Sequence, residues 1–329
     1  MISRRNVLRS GALASIAMPL VARSAFAEGD DWPNKDIHAI CGFPPGTGAD
    51  IFVRFYGRKL QDAAGKTVII ENKTGAFGNI ATEYVARSKP DGYTVFIAPG
   101  SSFLAASPSL FKKLPFDPVN DFEHVTTLSK LPFILVVSGD SPYKSVAELT
   151  AYLKQQGDKA SYASLANTGL VSSELYKAQF GLNTVEVKYK DAMAALQDLW
   201  GNNVAFTHID PAGGGAHIKS GKLRALATSA AERLRALPDI PSAKEAGITN
   251  SNIIAWWSVH VPKGTPKPVV QKLEKWFNEI AIADDTKAFL ANSGSDPFPG
   301  NSQMLKDLLV SDIKAWSEYV KIAKIEPYS

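Results

Sequence analysis

The sequence predicts an α/β fold of two domains, each a mixed, mostly parallel sheet flanked by helices. Short apolar strands alternate with helical patterns twice along the chain, and this alternation is typical of sheets covered by helices. The chain has 329 residues, which at about 150 residues per domain predicts two domains. A loop that contains both proline and glycine connects a strand to a helix once in each alternating set.

The first alternating set lies in the N-terminal third of the chain. Strand-like segments at residues 36–43, 66–72 and 93–99 enclose helical patterns at residues 49–64 and 79–89. This βαβαβ order predicts parallel pairing, because each helix carries the chain back to the end of the sheet at which the preceding strand began.

A less regular segment separates the two sets. Prolines interrupt any helical pattern over residues 107–125, and strand-like stretches follow at residues 125–130 and 133–139. Ser145 and Glu148 then form a capping box, which predicts the start of a helix. The rest of the chain adds strand-like segments at residues 160–164, 184–189, 204–210, 223–229 and 253–262, and helical patterns at residues 172–181, 194–202, 216–221, 266–281 and 302–323.

The two sets share one loop pattern, in which a strand ends in proline and glycine and a helix follows at once. The pattern is "GFPPGTGAD" at residues 42–50 and "IDPAGGGAH" at residues 209–217. Ligands of open α/β sheets bind outside the carboxyl ends of the strands. Two such loops, one from each domain, therefore predict a cleft with helix N-termini on both sides.

Residues 1–27 have the features of a cleavable signal peptide. A basic start, an apolar run and an "AFA" cleavage site precede Glu28, and the run is shorter than the ~20 residues that span a bilayer. The segment "SRRNVL" at residues 3–8 resembles a twin-arginine signal, and an ordinary Sec signal is the alternative. Both predict that the chain is exported.

The predicted leader also carries the net charge. Four of the 36 basic residues lie in it, which leaves 32 basic against 32 acidic residues in the mature chain. Without a basic run or stripe, nothing favours binding to nucleic acid or to an anionic membrane surface. The single cysteine, Cys41, has no partner in the chain, so an intramolecular disulfide is excluded.

No motif of nucleotide binding or catalysis is present in the sequence. The glycines that begin at Gly46 lack the spacing of a dinucleotide fingerprint, and there is no Walker A loop, G-x-S-x-G elbow or H-E-x-x-H motif. The five histidines are scattered without ligand spacing. We therefore expect no catalytic residue, no metal site and no cofactor.

Polar loops at the predicted strand ends remain as candidate binding elements. They offer backbone N–H groups, hydroxyls and a side-chain amide, and none of them contains arginine or lysine, which a dense phosphate would usually recruit. Backbone amides at helix N-termini favour anions, so this donor set favours a carboxylate. Simple tight turns are the alternative. The loops span residues 43–50, 74–79, 99–102, 164–169 and 209–215.

Several long segments carry a resemblance to one protein family. They are "WPNKDIHAICGFPPGTGADIFVR", "VIIENKTGAFGNIATEYVARSKPDGYTVF", "FDPVNDF", "GKLRALATSAAERLRALPDIPSAKEAG" and "PKGTPKPVVQKL". With them the chain resembles the Bug-type solute receptors of tripartite tricarboxylate transporters. The resemblance implies a monomeric periplasmic receptor with a hinged, two-domain periplasmic-binding-protein (Venus flytrap) fold. Such a receptor performs no chemistry and delivers a small organic carboxylate to the membrane permease subunits of its transporter.

The resemblance also implies a division of the chain and a binding site. Domain 1 would comprise residues 28–127 plus 255–329 and domain 2 residues 128–254, with hinges near residues 125–130 and 253–261. Domain 1 would hold one carboxylate of the ligand, and domain 2 would set selectivity. The expected ligand-binding residues are Phe43, Pro44, Gly46, Thr47, Gly48, Asp50, Gly75, Ala76, Gly78, Asn79, Ser101, Ser102, Ser164, Asn167, Thr168 and Asp210.

Departures from the family pattern bear on the identity of the ligand. Thr47 stands where the family has glycine, and Lys190 with Asp191 replaces a lysine and a glycine. Phe103 stands where smaller residues are common, and no histidine lies near Glu174. These departures argue against a simple dicarboxylate such as malate and leave room for an aromatic acid.

Two features near the expected site receive structural roles. Asp50 would repel a carboxylate by like charge, so we expect it to cap the helix or brace the loop rather than to contact the ligand. Adjacent residues of a strand face opposite ways. One of Trp256 and Trp257 should therefore lie in the core and the other near the cleft or hinge.

Two alternatives to a transport receptor stay open at the level of sequence. One is a partner protein that presents its ligand to a membrane histidine kinase, because its binding residues would look the same. The other is a periplasmic α/β hydrolase, against which the missing nucleophile–base motifs argue.

Overall fold

The computed structural model describes residues 32–165, 167–189 and 192–328, so the predicted leader and the pair Lys190–Asp191 lie outside the described residues. The strands are β1 (Ile37–Cys41), β2 (Val68–Asn72), β3 (Thr94–Ala98), β4 (Phe122–Pro132), β5 (Ile134–Ser138), β6 (Ser161–Ser164), β7 (Val185–Lys188), β8 (Phe206–Ile209), β9 (Leu223–Thr228), β10 (Ile254–Pro262) and β11 (Asp296–Pro297). The helices are α1 (Gly48–Ala64), α2 (Asn79–Ala86), α3 (Ser107–Leu110), α4 (Val146–Gln156), α5 (Asn167–Phe180), α6 (Ala192–Trp200), α7 (Pro211–Lys219), α8 (Lys267–Ile282), α9 (Asp284–Asn292) and α10 (Ser302–Ile322).

The strands form two sheets, with the orders β11-β4-β10-β3-β1-β2 and β7-β6-β8-β5-β9. β1 pairs in parallel with β2 and β3, and β6 pairs in parallel with β7 and β8. The strands next to the sheet crossings, β4, β5 and β10, pair antiparallel with their neighbours. The predicted two mixed sheets flanked by helices are confirmed. Antiparallel pairing is more frequent than the βαβ pattern predicts. The reason is that the local apolar pattern of a segment does not specify whether it pairs parallel or antiparallel with its neighbours.

Side-chain caps begin several of the helices predicted from sequence, among them α1 and α4. Thr47 caps α1 by accepting a hydrogen bond from the N–H of Asp50 at 3.2 Å. Ser145 accepts a bond from the N–H of Glu148 at 3.2 Å, and the Glu148 carboxylate accepts one from the N–H of Lys144 at 2.6 Å. This reciprocal pair confirms the predicted capping box at the start of α4.

The chain passes from the first sheet to the second at Phe133. β4 stays paired with β10 as far as Pro132, and β5 begins at Ile134. Of the predicted hinge segments, residues 125–130 and residues 254–261 lie in the β4–β10 ladder of the first sheet, so both crossings lie beyond that ladder. The return crossing runs through residues 229–253.

Ser229 ties the two crossings together. Its N–H donates to the carbonyl of Phe133 at 2.7 Å, and its hydroxyl accepts a bond from the N–H of Phe133 at 2.9 Å. The same hydroxyl donates to the carbonyl of Ile253 at 2.6 Å, and the N–H of Ile253 donates back to the Ser229 carbonyl at 3.0 Å. Ser229 is buried, so both crossings share one hydrogen-bonded junction shielded from water.

The two adjacent tryptophans of β10 face opposite sides of the first sheet. Trp256 is buried in the apolar cluster that includes Trp316, and its Nε1–H donates to Asp312 at 2.9 Å. Trp257 packs in the other cluster, against Phe52 of α1. This arrangement agrees with the split predicted from strand geometry. Within the described ranges, no helix combines the length and apolarity needed to cross a bilayer.

Candidate functional site

A cavity of about 740 Å³ lies between the two sheets. The loops after β1, β2, β3, β6 and β8 line it, together with the first sheet crossing, β10, and α9 with the residues that follow it. These loops stand at the carboxyl ends of parallel strands, where the sequence predicts the ligand. The lining residues are Gly42, Phe43, Pro44, Thr47, Gly48, Ala49, Phe52, Thr74, Gly75, Phe77, Gly78, Pro99, Ser101, Ser102, Phe103, Leu131, Phe133, Leu165, Asn167, Thr168, Asp210, Ala212, Gly213, Ala255, Trp257, Phe289, Ser293 and Ser295.

Most of the residues predicted from sequence lie in this lining. The structure brings together Phe43, Pro44, Thr47, Gly48, Gly75, Gly78, Ser101, Ser102, Asn167, Thr168 and Asp210. The remaining predicted residues do not border the cavity and support the lining from behind; they are Gly46, Asp50, Ala76, Asn79 and Ser164.

The supporting residues have local partners of their own. Asn79 is buried, and its Oδ1 accepts a bond from the Ser107 hydroxyl at 3.4 Å. The Ser164 hydroxyl donates to the Glu186 carboxylate at 2.5 Å. Ala76 has a left-handed φ of 46° and serves to shape its turn. A side chain with such a partner is less available to a ligand than one without.

Asp50 braces the loop between β1 and α1. Its carboxylate accepts hydrogen bonds from the N–H of Gly46 at 2.8 Å, from Nε of Arg54 at 2.8 Å and from Nδ2 of Asn72 at 2.7 Å. Burial by itself raises the pKa of this carboxyl, but the three donors outweigh burial and hold the pKa of Asp50 below its ordinary value. Asp50 is thus ionised and surrounded by protein donors, as a brace requires.

The hydroxyl of Thr47 is used inside the same loop. It donates to the carbonyl of Pro44 at 2.9 Å and accepts the N–H of Asp50. A hydroxyl has a single proton, so a ligand would have to displace the Pro44 carbonyl to receive it. The Thr47 side chain, which is among the expected ligand-binding residues, therefore has a capping role in the structure.

The first turn of α1 brings unpaired backbone N–H groups to the cavity. Gly48 and Ala49 belong to the lining, and their N–H groups have no acceptor in the part of the chain that the structure describes. The first residues of any helix lack an intrahelical partner, and the helix dipole adds partial positive charge there. α5 and α7 also begin at the cavity, with Asn167, Thr168 and Ala212 in their first turns.

Two serines after β3 add hydroxyl donors. Ser101 accepts a bond from the N–H of Trp256 at 3.2 Å and keeps its own proton available. The hydroxyl of Ser102 has no partner among the residues described. Glycine at position 100 lets the backbone before these serines pack closely against Trp256 of β10, because a Cβ at that position would lie 2.0 Å from the Trp256 ring.

The turn at residues 75–78 is held in a left-handed conformation, with φ values of 124°, 46°, 53° and 91°. Gly78 has a steric requirement as well, since a Cβ there would lie 2.4 Å from the Phe103 ring. Phe77 adopts this conformation without being glycine, which is a strained state found mainly at functional sites. Its exposed ring stacks on Tyr328 with a centroid distance of 5.2 Å.

The electrostatics of the cavity come from the backbone rather than from basic side chains. No lysine, arginine or histidine of the described ranges lines it, and Asp210 is the ionisable residue of the lining. Asp210 caps α7, because its Oδ1 accepts the N–H of Gly213 at 2.8 Å. An anion in this cavity would therefore be held by uncharged donors and helix N-termini.

Five aromatic residues, which we call the aromatic wall, form a continuous run of ring contacts in the lining. Phe103 stacks on Phe43 at 5.0 Å, and Phe43 lies 6.2 Å from Trp257 between ring centroids. Trp257 stacks on Phe52 at 4.2 Å, and Phe52 lies 6.1 Å from Phe289. The wall comprises Phe43, Phe52, Phe103, Trp257 and Phe289.

Sequence reasoning missed several aromatic residues of the cavity lining for a physical reason. Phe52 and Phe289 project from the helices α1 and α9, and Phe133 lies at the sheet crossing, so none of them belongs to a strand-end loop. In the sequence Phe52 resembles any core residue of an amphipathic helix. Two other aromatic residues of the lining carried a signal in the sequence. Phe103 is a departure from the family pattern, and Trp257 belongs to the pair of which one member was predicted near the cleft or hinge.

The arrangement offers binding chemistry and no reactive pair. The described residues contain no group of three or more His, Cys, Asp or Glu that could hold a metal ion. Ser173 and His208 are hydrogen-bonded at 2.9 Å, and Ser258 and His260 at 2.7 Å, but all four are buried and none lines the cavity. The cavity can hold an acid group against N–H donors and pack an apolar body against rings.

The match to known proteins extends over most of the chain. The family model described as "Tripartite tricarboxylate transporter family receptor" matches residues 52–325. BugT of Bordetella pertussis is 28% identical over 318 residues, which cover 96% of this chain and 98% of that protein.

Solved structures of similar proteins share the fold. An R. palustris protein solved with adipate has a TM-score of 0.80 and 30% identity, and the match covers 91% of this chain and 100% of that one. MatC from Rhodopseudomonas palustris, solved with bound malate, has a TM-score of 0.76 and 26% identity, and the match covers 88% of this chain and 100% of that one.

Proposed function

The chain belongs to the tripartite tricarboxylate transporter receptor family, as the sequence resemblance predicted, and from this premise we propose that it is a periplasmic binding protein for a small carboxylate. The ligand is a di-, tri- or aromatic carboxylic acid. It is captured in the cavity between the two sheets and delivered to the membrane permease subunits of a transporter. The protein acts as a monomer, uses no cofactor and catalyses no reaction.

The donor set of the cavity carries this proposal. The N–H groups of Gly48 and Ala49 and the hydroxyl of Ser102 are uncharged donors without partners among the described residues. Such donors at a helix N-terminus stabilise a carboxylate, and the missing cationic side chains fit an anion of low charge density. The relatives solved with adipate and malate hold acids of this class, which supports the assignment.

The predicted site residues divide into contacts and supports. We assign direct ligand contact in the first sheet to the backbone of Gly48 and Ala49 and to Ser101 and Ser102. In the second sheet we assign it to Asn167 and Thr168 at the start of α5. The residues behind the lining, Gly46, Asp50, Ala76, Asn79 and Ser164, hold these contacts in place, and Phe43, Pro44, Gly75, Gly78 and Asp210 shape the cavity.

Capture involves closure of two domains around the ligand. We place the domain boundaries at the two crossings rather than at residues 127 and 255, so domain 1 comprises residues 28–132 plus 254–329 and domain 2 residues 133–253. The junction of Phe133, Ser229 and Ile253 serves as the hinge. A ligand that contacts both domains favours the closed state by its extra affinity for that state.

A thermal-shift screen of the mature chain from Glu28 tests the proposal. Mono-, di-, tri- and aromatic carboxylates are compared with sugars, amino acids and divalent metals at equal concentration. A ligand of the native state raises the apparent melting temperature by mass action, so at least one acid should raise it. A shift with a sugar or a metal and with no acid would overturn the carboxylate assignment.

Export and transport need tests in cells. Mass measurement of the periplasmic protein should give a chain that begins at Glu28, and loss of export after Arg4 and Arg5 are changed to lysine would identify the twin-arginine route. Deletion of the gene should abolish uptake of the bound acid. Intact uptake with lost gene induction would instead indicate a sensor that presents its ligand to a kinase.

A further inference from the structure

The aromatic wall stands beside the unpaired donors of the cavity. Phe52 lies three residues after Ala49 on α1, so their side chains share one face of the helix. Phe103 directly follows Ser102 in the turn after β3. Donors for an acid group and rings for an apolar body are thus adjacent at two separate points of the first sheet.

Apolar side chains also reach the cavity from outside the wall. Leu131 and Phe133 come from the end of β4 and the sheet crossing, and Leu165 follows β6 in the second sheet. A ligand that bridges the sheets therefore meets apolar surface from both. Flexible hydroxy acids would place polar groups against this surface without hydrogen-bond partners, which weakens binding.

A flat ring fits these surroundings better than a polar aliphatic chain. Rings stack on aromatic side chains, and this attraction exceeds the effect of the buried area alone. Phe43 and Phe289 are the half-buried members of the wall, and Phe52, Phe103 and Trp257 are buried beside them. A ligand ring would therefore pack mainly on Phe43 and Phe289, which the buried rings hold in place.

We propose that the ligand is an aromatic carboxylic acid whose ring packs on the aromatic wall. Its carboxylate accepts hydrogen bonds from the N–H groups of Gly48 and Ala49 and from the hydroxyl of Ser102. The proposal rests on the proposed carboxylate-binding function and narrows it to acids with an aromatic body.

Calorimetry with acids matched in charge tests the role of the ring separately from that of the acid group. Benzoate is compared with hexanoate, and benzene-1,4-dicarboxylate with adipate, on the mature chain. The aromatic member should bind about 10-fold more tightly in at least one pair. If the aliphatic members bind as tightly in both pairs, the aromatic assignment is overturned while the carboxylate function stands. If none of the four acids binds and a non-acid ligand is found by thermal shift, both proposals are overturned.

A pair of matched variants tests the contact with the wall. Phe43 lines the cavity and stacks on Phe103, whereas Phe180 is equally half-buried but packs on Tyr176, away from the cavity. Phe43→Leu should lower affinity for the aromatic acid about 3- to 10-fold and change that for its aliphatic counterpart less than about 2-fold. Phe180→Leu should leave both affinities unchanged. An equal loss for both acids in Phe43→Leu would overturn ring stacking at this position.

Discussion

The side-chain amide of Asn72 lies 2.7 Å from the Asp50 carboxylate and also donates to the carbonyl of Phe43 at 2.8 Å. The guanidinium of Arg54 completes the set, because it bonds both Asp50 and the Asn72 oxygen. One buried carboxylate thus connects β2, α1 and the loop that lines the cavity. These three side chains hold the shape of the loop from behind, and the N–H groups that face the cavity remain unpaired.

Replacement of Asp50 by asparagine should destabilise the protein by about 1–3 kcal/mol, because Gly46, Arg54 and Asn72 lose a charged acceptor in a buried site. Urea unfolding at neutral pH measures the change. Asp62→Asn, an exposed change on the same helix, is the matched control and should have almost no effect. Equal stability of the two variants would contradict the bracing role.

The same variant has a predicted pH dependence. The pKa of Asp50 in the folded protein lies below its ordinary value of 3.8, so the folded state binds fewer protons than the unfolded state in that range. The stabilisation is therefore complete above pH 3.8 and is lost as the pH falls through the lowered pKa. The difference in the free energy of unfolding between wild type and Asp50→Asn should decrease only below pH 3.8. A decrease already at pH 5 to 6 would contradict the lowered pKa of Asp50.

Thr47→Ala should affect stability more than recognition. The Thr47 hydroxyl caps α1 and bonds the Pro44 carbonyl, and loss of such a cap costs about 0.5–2 kcal/mol. Thermal unfolding without ligand measures the loss. Calorimetry on the folded variant should then give an affinity within about 3-fold of wild type, since this corresponds to less than one ordinary hydrogen bond. A large loss of affinity with unchanged stability would reverse the assignment.

Ser102→Ala should show the opposite pattern. The Ser102 hydroxyl has no partner among the described residues and lines the cavity. Removal of a hydrogen bond to a charged group costs about 1.5–3 kcal/mol, so the affinity for the ligand should fall by about 10-fold or more. The melting temperature without ligand should stay unchanged. Wild-type affinity in this variant would remove Ser102 from the contact set.

Ser229→Ala should weaken the junction between the two sheets. The change leaves a buried N–H of Phe133 and the carbonyl of Ile253 without their partner, which costs about 1–3 kcal/mol. Denaturant unfolding measures this cost, and small-angle scattering measures any wider spread of open and closed forms. Ser311→Ala, at an exposed serine of α10, is the control. Equal losses of stability in the two variants would contradict the role of Ser229 in joining the two crossings.

Asp312 should make the protein less stable as the pH rises through weakly acidic values. Burial raises the pKa of this carboxyl from 3.8 to about 6, against the hydrogen bonds from Trp256 and Trp316 that lower it. Between pH 3.8 and about 6 the folded state binds the extra proton, so this group destabilises the fold progressively across that window. In Asp312→Asn, the decrease in the free energy of unfolding between pH 3.8 and about 6 should be smaller than in wild type by about 1–3 kcal/mol. Comparison with wild type at each pH cancels the contributions of the buried histidines, and parallel curves would contradict the prediction.

The fold was predictable because its signals are local. Alternating apolar patterns, the Ser145–Glu148 capping box and the loop "GFPPGTGAD" each depend on a few neighbouring residues, and each appears at the predicted place. The point at which the chain passes from the first sheet to the second has no local signal. β4 continues to Pro132 because β10, over a hundred residues later in the chain, provides its hydrogen-bond partners.

The sequence by itself determined the α/β alternation, the family and the strand-end loops that line the cavity. Those properties follow from periodicity, turn chemistry and long shared segments. Only the tertiary structure decided which donors are free: Thr47 bonds Pro44, whereas Ser102 is unpaired, although both are hydroxyl residues in similar loops. It also assembled the aromatic wall from β10, two helices and two loops. The physical reason is that the pairing of a polar group and the exposure of a ring depend on neighbours distant in sequence.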